Sequence, residues 1–237
     1  MSLTFHALRV AGIERDADAL IVAFNVPEAL RATYTFSAGQ YLTLRTFVEG
    51  EDLRRSYSIC SSPDEPELKV GVRLLPGGAF SGWAVANLRL GDTLDVLPPL
   101  GRFNVALDAT AHRHFLFVAA GSGITPVLSI AATLLERDDG SRFGLYFGNT
   151  STARTMFLDE VLALKDRFMP RFSVCFVMSR EPQEVDWFNG RIDAAKLREF
   201  ARHDPGLAGS DEFFICGPGT MSAVVQETLA ELGAGGR

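Results

Sequence analysis

An uncharged run from Phe115 to Leu135 constrains the fold of this chain more than any other stretch. Its length would suit a membrane-spanning helix, but Gly121, Gly123 and Pro126 lie in its centre, where they would interrupt one. A buried strand, a tight turn and a buried helix explain the same residues better. A strand that is apolar on both faces and leads directly into a helix predicts a parallel sheet covered by helices on both sides.

The alternation of strand and helix continues to the C-terminus. We predict four strands, each preceding a helix, at Phe115–Ala120, Arg142–Phe147, Phe172–Met178 and Glu212–Cys216. The helices after them are predicted at Thr125–Glu136, Ala153–Lys165, Ala194–Ala201 and Thr220–Leu232. This pattern predicts an α/β domain over residues 106–237.

The first half of the chain has a different rhythm, in which apolar and polar residues roughly alternate between turn signals. We predict six strands there, at Phe5–Ile13, Ala19–Val26, Tyr41–Val48, Leu53–Cys60, Leu68–Leu75 and Thr93–Leu97. One helix, Phe80–Leu88, interrupts them. Strands at this spacing predict a small antiparallel barrel or sandwich over residues 1–105.

The composition excludes several classes of protein. With 47% apolar and 22% charged residues the chain is typical of a globular protein, and a net charge of −6 argues against a general nucleic-acid binder. The N-terminus shows no secretion signal, so a cytoplasmic location without a membrane role is expected. Three separated cysteines form neither a disulfide framework nor the four-thiolate ligand set of an iron–sulfur cluster, and we predict no metal site.

The turn after the strand Phe115–Ala120 has the chemistry of a diphosphate site. Gly121 and Gly123 let the backbone approach an anion closely, Thr125 is placed to cap the next helix, and Pro126 suits its first position. The pattern is not a full GxGxxG fingerprint, and the next strand ends in Asn149 rather than in an acid, so a Rossmann dehydrogenase is disfavoured. A plain strand-to-helix turn is the alternative interpretation.

Two further strand ends carry candidate site residues. Cys216 and Gly217 end the last strand, where the carboxyl ends of parallel strands form a binding crevice; core packing of Cys216 is the alternative. Ser179 and Arg180 end the third strand, and Arg191 follows after a loop. A hydroxyl and two guanidiniums suit a phosphomonoester such as the 2′-phosphate of NADPH, although each arginine alone is typical of a solvated surface.

In the first half, the segment Arg54–Ser62 combines three groups that a flavin dinucleotide needs. Arg55 supplies a planar fork for a diphosphate, Tyr57 an aromatic face for stacking, and Ser58 a small hydroxyl for the reacting edge. Alternation places Arg55, Tyr57 and Ile59 on one face of the strand. Taken alone, the segment also fits an ordinary edge strand.

Five motifs together resemble the ferredoxin–NADP reductase family over essentially the whole chain. They are Gly39-Gln40-Tyr41, Arg55-Ser56-Tyr57-Ser58, Gly77-Gly78-Ala79-Phe80-Ser81, Gly121-Ser122-Gly123-Ile124-Thr125-Pro126 and Cys216-Gly217-Pro218. The resemblance implies an antiparallel β-barrel FAD-binding domain followed by an α/β parallel-sheet NAD(P)-binding domain. Within the family, the stretch Leu74–Phe103 is most similar to the reductases of phenylacetyl-CoA epoxidase systems, which act in phenylacetate degradation.

The resemblance also implies roles for individual residues. Arg55, with the backbone and hydroxyl around Gly78–Ser81, would hold the FAD diphosphate, and the further residues implied to bind the cofactor are Ser56, Gly77, Ala79 and Phe80. Tyr57 would stack on the isoalloxazine, and Ser58 would bind at its N5 edge as a catalytic residue. The residues implied for the nicotinamide dinucleotide are Gly121, Gly123, Thr125, Ser179, Arg180, Arg191, Cys216 and Gly217, with Cys216 as the catalytic residue that positions the nicotinamide.

The implied function is that of an FAD-dependent NADPH oxidoreductase. It would take hydride from NADPH and pass single electrons to an iron–sulfur protein, such as a ferredoxin, or to an oxygenase component. Phenylacetyl-CoA-type reductases carry a C-terminal ferredoxin domain that these 237 residues lack, so we expect either a truncated piece or a separate acceptor. A non-catalytic flavin- or nucleotide-binding module and a reductase of free flavin are the alternatives.

Overall fold

The computed structural model describes residues 4–104, 112–204 and 206–234, and six strands of its N-terminal half form one antiparallel sheet in the order β4-β3-β6-β1-β2-β5. Their bounds are β1 His6–Asp16, β2 Ala19–Asn25, β3 Tyr41–Val48, β4 Glu51–Ser58, β5 Leu68–Arg73 and β6 Thr93–Val96. The helix α1 spans Ala79–Asn87, between β5 and β6. The six predicted strands and the helix are confirmed, with ends shifted by a few residues.

The two edges of this sheet meet just beyond β4. Ile59 forms an isolated bridge with Val70 of β5, and the Cys60 amide donates to the Lys69 carbonyl over 3.0 Å. The sheet therefore closes into the predicted barrel, which removes most of its exposed strand edge. Alternate residues such as Leu42 and Leu44 point inward and are fully buried. Each such side chain contributes roughly 1.5–3 kcal/mol to folding.

The C-terminal half contains a four-stranded parallel sheet in the order β10-β7-β8-β9. Its strands are β7 His114–Ala120, β8 Arg142–Asn149, β9 Phe172–Met178 and β10 Glu212–Cys216. Four helices connect or follow them, α2 Ile124–Arg137, α3 Leu158–Arg167, α4 Ala194–His203 and α5 Gly219–Glu231. The central strand β7 is buried from Phe115 to Ala119, which explains why the first part of the run Phe115–Leu135 carries no charge.

One predicted helix starts later than its sequence indicates. Residues 153–165 were expected to be helical, but Thr152–Arg154 form a 3₁₀ turn and α3 begins only at Leu158. The interruption lies at Phe157, which is buried and has a left-handed backbone with φ of 56°. Burial of this ring and of Met156 in the core outweighs the helical preference of the surrounding residues.

By its internal contacts the described chain separates into two compact units. The N-terminal unit consists of residues 4–104 with 128–133, and the C-terminal unit of residues 112–127 with 134–234. The predicted domain boundary at residues 105–106 lies outside the described residues and stays a prediction. In the C-terminal unit, all four strands run in the same direction, so their last residues lie at one edge. We call this the carboxyl edge; it is formed by Ala120, Asn149, Met178 and Cys216.

Candidate cofactor and nucleotide sites

In the N-terminal unit, the predicted flavin residues lie along the second half of β4. Arg55 and Ser56 are exposed, whereas Tyr57 and Ser58 are half-buried. The Arg55 Nη1 donates to the Arg54 carbonyl over 2.7 Å, and the Ser56 hydroxyl lies 3.0 Å from that of Thr43 on β3. Ser58 faces Tyr41 across the strand pair, and its hydroxyl has no hydrogen-bond partner among the described residues. A hydroxyl left in this state is available to a ligand.

Tyr57 packs against one aromatic residue of α1, Phe80, which is itself supported by Trp83. Its ring centroid lies 5.6 Å from that of Phe80, which in turn lies 5.8 Å from the Trp83 ring. Burial raises the pKa of Tyr57 to about 12, although the Arg55 charge opposes the shift. Phe80 itself is fully buried, so its side chain acts as a support for Tyr57 and only its backbone is left to meet a cofactor. Tyr57 thus presents a neutral, fixed aromatic ring.

The loop between β5 and α1 forms a narrow cradle of backbone. Gly77 has a left-handed φ of 71°, and Gly78 precedes the helix without a side chain to cap it. A Cβ added to Gly78 would lie 2.5 Å from the Ser81 Oγ, so a side chain there would displace the Ser81 hydroxyl. The Ser81 hydroxyl is buried and accepts from the Leu75 amide over 3.2 Å. It therefore closes the loop and leaves the first amides of α1, with the positive end of the helix, to an anion.

In the C-terminal unit, the carboxyl edge brings the first turn and the last strand into direct contact. A Cβ added to Gly123 would lie 2.0 Å from the Cys216 carbonyl oxygen, and one on Gly217 would lie 3.2 Å from the Ala120 Cβ. Gly121 has φ of 53°, which glycine adopts without strain. The predicted neighbourhood of Gly121, Gly123, Cys216 and Gly217 is thus present, and a diphosphate fits the narrow backbone cradle it forms.

The cap of the helix after this turn differs from the sequence expectation. The residue before α2 is Gly123, at the end of a 3₁₀ turn Gly121–Gly123, whereas Thr125 and Pro126 lie inside the first turn of the helix. The Thr125 hydroxyl donates to the Ser122 carbonyl over 2.9 Å and does not accept from an amide. The prediction that Thr125 caps α2 with Pro126 in first position was therefore wrong. Proline is tolerated because amides of the first turn have no intrahelical partner.

Cys216 is half-buried, and burial raises the pKa of its thiol. It is therefore a neutral thiol at physiological pH, which packs against a ring better than a charged thiolate would. A nucleophilic role does not fit this environment, because reactive cysteines need a depressed pKa. A positioning role does.

The predicted phosphate-binding residues lie just beyond β9. Ser179 is half-buried, Arg180 and Arg191 are exposed, and neither guanidinium has a partner among the described residues. The Asn189 side chain stabilises the loop between the two arginines. Its oxygen accepts from the Gln183 backbone amide, and its nitrogen donates to the Gln183 backbone carbonyl. Gly190 then donates to the Met178 carbonyl over 2.8 Å, which returns Arg191 to the end of β9.

Two polar groups at the carboxyl edge were not singled out from the sequence. The Asn149 side chain is 8% exposed, and neither its oxygen nor its nitrogen has a hydrogen-bond partner among the described residues. The buried Thr150 hydroxyl is also unpartnered within them. Buried polar groups in this state carry a free-energy penalty unless a ligand or water satisfies them. They lie between the Gly121 turn and Ser179, which is where a dinucleotide would satisfy them.

Other classes of site find no support within residues 4–104, 112–204 and 206–234. These residues bring no three His, Cys, Asp or Glu side chains together as metal ligands. None of their helices combines the length and apolar character needed to cross a bilayer.

Comparison with known families identifies both halves of the chain. Residues 13–105 match the oxidoreductase FAD-binding domain, and residues 117–227 match the oxidoreductase NAD-binding domain. The two matches correspond to the strands of the barrel and to those of the parallel sheet. The order of the two domains is the one that the sequence motifs imply.

Two curated relatives extend over nearly the whole chain. A protein of the 1,2-phenylacetyl-CoA epoxidase from Escherichia coli K12 is 40% identical over 97% of this chain. The ferredoxin reductase component of 3-ketosteroid-9-alpha-monooxygenase from Rhodococcus rhodochrous is 34% identical over 94% of it. The chain spans 65% and 60% of the length of these two proteins.

Solved structures agree on the fold. A ferredoxin NADP+ reductase from Neisseria gonorrhoeae with bound FAD and NADP has a TM-score of 0.79 at 23% identity, over 97% of this chain and 92% of that one. The FAD/NAD-binding domain of a nitric oxide dioxygenase from Vibrio cholerae has a TM-score of 0.81 at 22% identity, over 97% and 94%. The chain therefore belongs to the oxidoreductases that join an FAD-binding domain to an NAD-binding domain, and it shares the fold of a ferredoxin NADP+ reductase.

Proposed function

We propose that this protein binds FAD, oxidises NADPH, and passes single electrons to an iron–sulfur protein or an oxygenase component. The observation that carries the proposal is the carboxyl edge, where a glycine turn, a neutral thiol and an unsatisfied buried amide meet at one place. FAD, when bound, supplies the conversion of a two-electron hydride transfer into one-electron steps. The protein supplies binding, orientation and exclusion of water.

The N-terminal unit would hold the flavin. The free amides of α1 and the Arg55 guanidinium suit the FAD diphosphate, and the ring of Tyr57 suits the isoalloxazine. The unpartnered Ser58 hydroxyl would hydrogen-bond at the flavin N5 edge, where the hydride arrives. Hydride transfer requires a carbon-to-nitrogen approach of roughly 3–3.5 Å, so the role of this hydroxyl is mainly geometric.

The C-terminal unit would hold the nicotinamide dinucleotide. Gly121 and Gly123 would face its diphosphate, Asn149 and Thr150 would find their missing partners in it, and the Cys216 thiol would pack on the nicotinamide. Ser179, Arg180 and Arg191 would bind the 2′-phosphate that distinguishes NADPH from NADH. Guanidiniums without a partner among the described residues, at Arg180 and Arg191, support the choice of NADPH.

The acceptor is proposed by analogy with the relatives. The phenylacetyl-CoA epoxidase protein and the ketosteroid monooxygenase reductase component are both named as parts of oxygenase systems. A one-electron acceptor of the same class, in the cytoplasm, is therefore the proposed partner. Because the chain spans less than two thirds of each relative, the acceptor for this chain is a separate question from its flavin chemistry.

The visible spectrum of the purified protein under anaerobic conditions, before and after one equivalent of NADPH, tests the proposal. A yellow protein that bleaches within seconds is the expected result. A yellow protein that does not bleach would indicate a non-catalytic flavin-binding module. A colourless protein that consumes NADPH only when FAD or FMN is added in excess would indicate a reductase of free flavin.

A further inference from the structure

The three residues proposed to bind the 2′-phosphate lie on loops that need to be held in place. Ser179 and Arg180 follow β9, whereas Arg191 lies at the far end of the loop that begins at Glu181. Exposed arginine side chains adopt many rotamers, and a bidentate grip on phosphate requires the backbone beneath them to be fixed. The contacts of these loops show what fixes it.

Backbone pairing continues past the ends of β8 and β9, but only as far as Arg180. The Ser179 amide donates to the Asn149 carbonyl over 2.9 Å, and the Arg180 amide donates to the Thr150 carbonyl over 2.9 Å. These bonds tie Arg180 to the segment that follows β8. Beyond Arg180 no further backbone hydrogen bond among the described residues joins the segment after β9 to the segment after β8.

Directly after Arg180, the Glu181 carboxylate connects the segment after β9 to the segment after β8. The Thr152 amide donates to its Oε2 over 2.8 Å, and the Thr152 hydroxyl donates to its Oε1 over 2.7 Å. Both carboxylate oxygens are thus committed to one residue of the 3₁₀ turn Thr152–Arg154. Hydrogen bonds from the Thr152 side chain and backbone lower the pKa of Glu181, so the carboxylate is charged at neutral pH.

The same residue is linked on its other side to the loop that carries Arg191. The Gln183 side-chain amide donates to the Glu181 carbonyl over 3.1 Å, and the Gln183 backbone amide donates to the Asn189 Oδ1 over 2.8 Å. With the bond from Gly190 to Met178, a continuous chain of contacts leads from the Thr152 turn through Glu181 to Arg191. Arg180 directly precedes Glu181 and is held by its own bond to the Thr150 carbonyl.

We propose that Glu181 is a positioning residue for NADPH selectivity, whose carboxylate locks the Thr152 turn against the Arg180 segment and so aligns the arginines for a 2′-phosphate. The inference rests on the proposed function. An acidic side chain beside a phosphate would by charge alone weaken NADPH binding. Positioning and charge therefore predict opposite results when the carboxylate is removed, and this makes the proposal testable.

The test uses the FAD-loaded full chain and four variants. Glu181→Ala removes the charge and both hydrogen bonds. Glu181→Gln removes the charge, but its carbonyl still accepts from the Thr152 amide while its amide group donates to the Thr152 hydroxyl. Thr152→Val removes only the hydroxyl bond. Glu184→Ala is the matched control, because Glu184 is exposed in the same loop and has no hydrogen bond or ion pair among the described residues.

For each protein, kcat and KM are measured with NADPH and with NADH, using ferricyanide as acceptor, and binding of 2′-phospho-AMP and AMP is measured by calorimetry. For Glu181→Ala we expect the KM for NADPH and the dissociation constant of 2′-phospho-AMP to rise about tenfold, the loss of one charge-assisted contact. The kcat and the values for NADH and AMP stay close to those of the parent. Glu181→Gln and Glu184→Ala behave like the parent, and Thr152→Val lies between.

Tighter NADPH binding in both Glu181 variants would overturn the proposal in favour of a purely electrostatic effect. Equal losses for NADPH and NADH in Glu181→Ala would also overturn it, by showing a general loosening of the loop. Failure of the proposed function looks different: the parent itself would then not be reduced by either nucleotide. A parent that is reduced by NADPH, with an unchanged preference in Glu181→Ala, removes only the role of Glu181.

Discussion

Among single residues, Ser58 allows the most direct test of the flavin chemistry, because its hydroxyl has no partner among the described residues. Replacement with alanine would remove the hydrogen bond proposed at the reacting edge of the flavin and leave Tyr57 and Arg55 in place. We expect Ser58→Ala to slow flavin reduction by NADPH by about tenfold or more, the loss of one well-placed hydrogen bond in the transition state. Stopped-flow absorbance measures the rate, and FAD retention after gel filtration measures binding.

Ser37→Ala is a suitable control for this variant, since Ser37 is exposed and its hydroxyl has no hydrogen bond within the described residues. It should reduce flavin at the rate of the parent. If Ser58→Ala also reduces at the parent rate, the hydroxyl has no part in hydride transfer. If it mainly loses FAD, Ser58 serves binding and not catalysis.

Arg180 tests the nucleotide preference at the same scale. The guanidinium has no partner within the described part of the chain, so its removal costs the fold little and affects mainly a bound phosphate. We expect Arg180→Ala to raise the KM for NADPH by about tenfold or more and to leave the KM for NADH nearly unchanged. Steady-state kinetics with both nucleotides measures the ratio.

Arg202→Ala removes the same charge from an exposed position on α4 and should change neither KM. Equal increases for both nucleotides in Arg180→Ala would place this arginine at the diphosphate and not at the 2′-phosphate. The comparison therefore separates a specific contact from a general loss of positive charge.

Among the secondary-structure elements, the choice of residue before α2 is limited by the space around it and not by its backbone angles. Gly123 has φ of −62°, which alanine adopts freely, but an added Cβ would lie 2.0 Å from the Cys216 carbonyl oxygen. We expect Gly123→Ala to lower the free energy of unfolding by about 1–3 kcal/mol, as is usual for overpacked sites. Urea denaturation followed by circular dichroism measures the change.

A second glycine provides the opposite case. Gly82 lies inside α1, and an added Cβ would have no heavy atom of the described residues within 4 Å. Gly82→Ala should raise the free energy of unfolding by about 0.5–1 kcal/mol, because alanine loses less backbone entropy in a helix. If Gly123→Ala raises the free energy of unfolding as Gly82→Ala does, the turn shifts and relieves the close contact with the Cys216 carbonyl oxygen.

The elements also show how far the sequence determines this fold. The spacing of apolar residues was sufficient to predict the strands and helices, because burial on one or two faces leaves a direct trace in the pattern. Capping was not predictable in the same way: Thr125 has the residue type of a cap, but α2 begins at Ile124, and the residue before it is Gly123, which fits against Cys216. The start of α3 was missed for a similar reason, since burial of Phe157 is a tertiary effect.

The candidate site was predictable only where chemistry is concentrated in a motif. Glycine turns, Arg55, Tyr57 and Cys216 stand out by residue type and position. Asn149 and Glu181 do not, because an amide at a strand end and an acid next to an arginine occur on many surfaces. Their significance lies in an unsatisfied buried amide and in a bidentate contact to Thr152, and both arise only from the folded chain.

For the whole molecule, alkaline pH should destabilise the fold at pH values below those at which the buried tyrosines of the folded protein lose their protons. Burial raises the pKa of Tyr57 to about 12 and also raises the pKa values of Tyr34 and Tyr146. Unfolded tyrosines titrate at about 10, so above this pH the unfolded state loses protons first. The contribution of these tyrosines to the free energy of unfolding should therefore be constant well below pH 10 and fall as the pH rises from 10 towards 12.

Tyr57→Phe removes one of these groups and retains the ring against Phe80. In urea denaturation between pH 9 and pH 12 it should show a shallower fall than the parent, with little change near pH 8. Parallel curves for the two proteins would mean that Tyr57 ionises as easily in the folded state as in the unfolded chain.

The cradle between β5 and α1 has a consequence for how this protein tolerates change. Two of its side chains are buried, with Phe80 under Tyr57 and the Ser81 hydroxyl bonded to the Leu75 amide, so that mainly backbone is left to meet an anion. In a saturation library over residues 77–81, sorted by flavin fluorescence, the variants that retain flavin should thus be those that keep the backbone shape, whatever the charge of their side chains. Ala79, which is exposed, would accept many replacements, whereas Gly78 would accept few. Related proteins could then differ widely in the exposed side chains of this loop and still bind the same diphosphate.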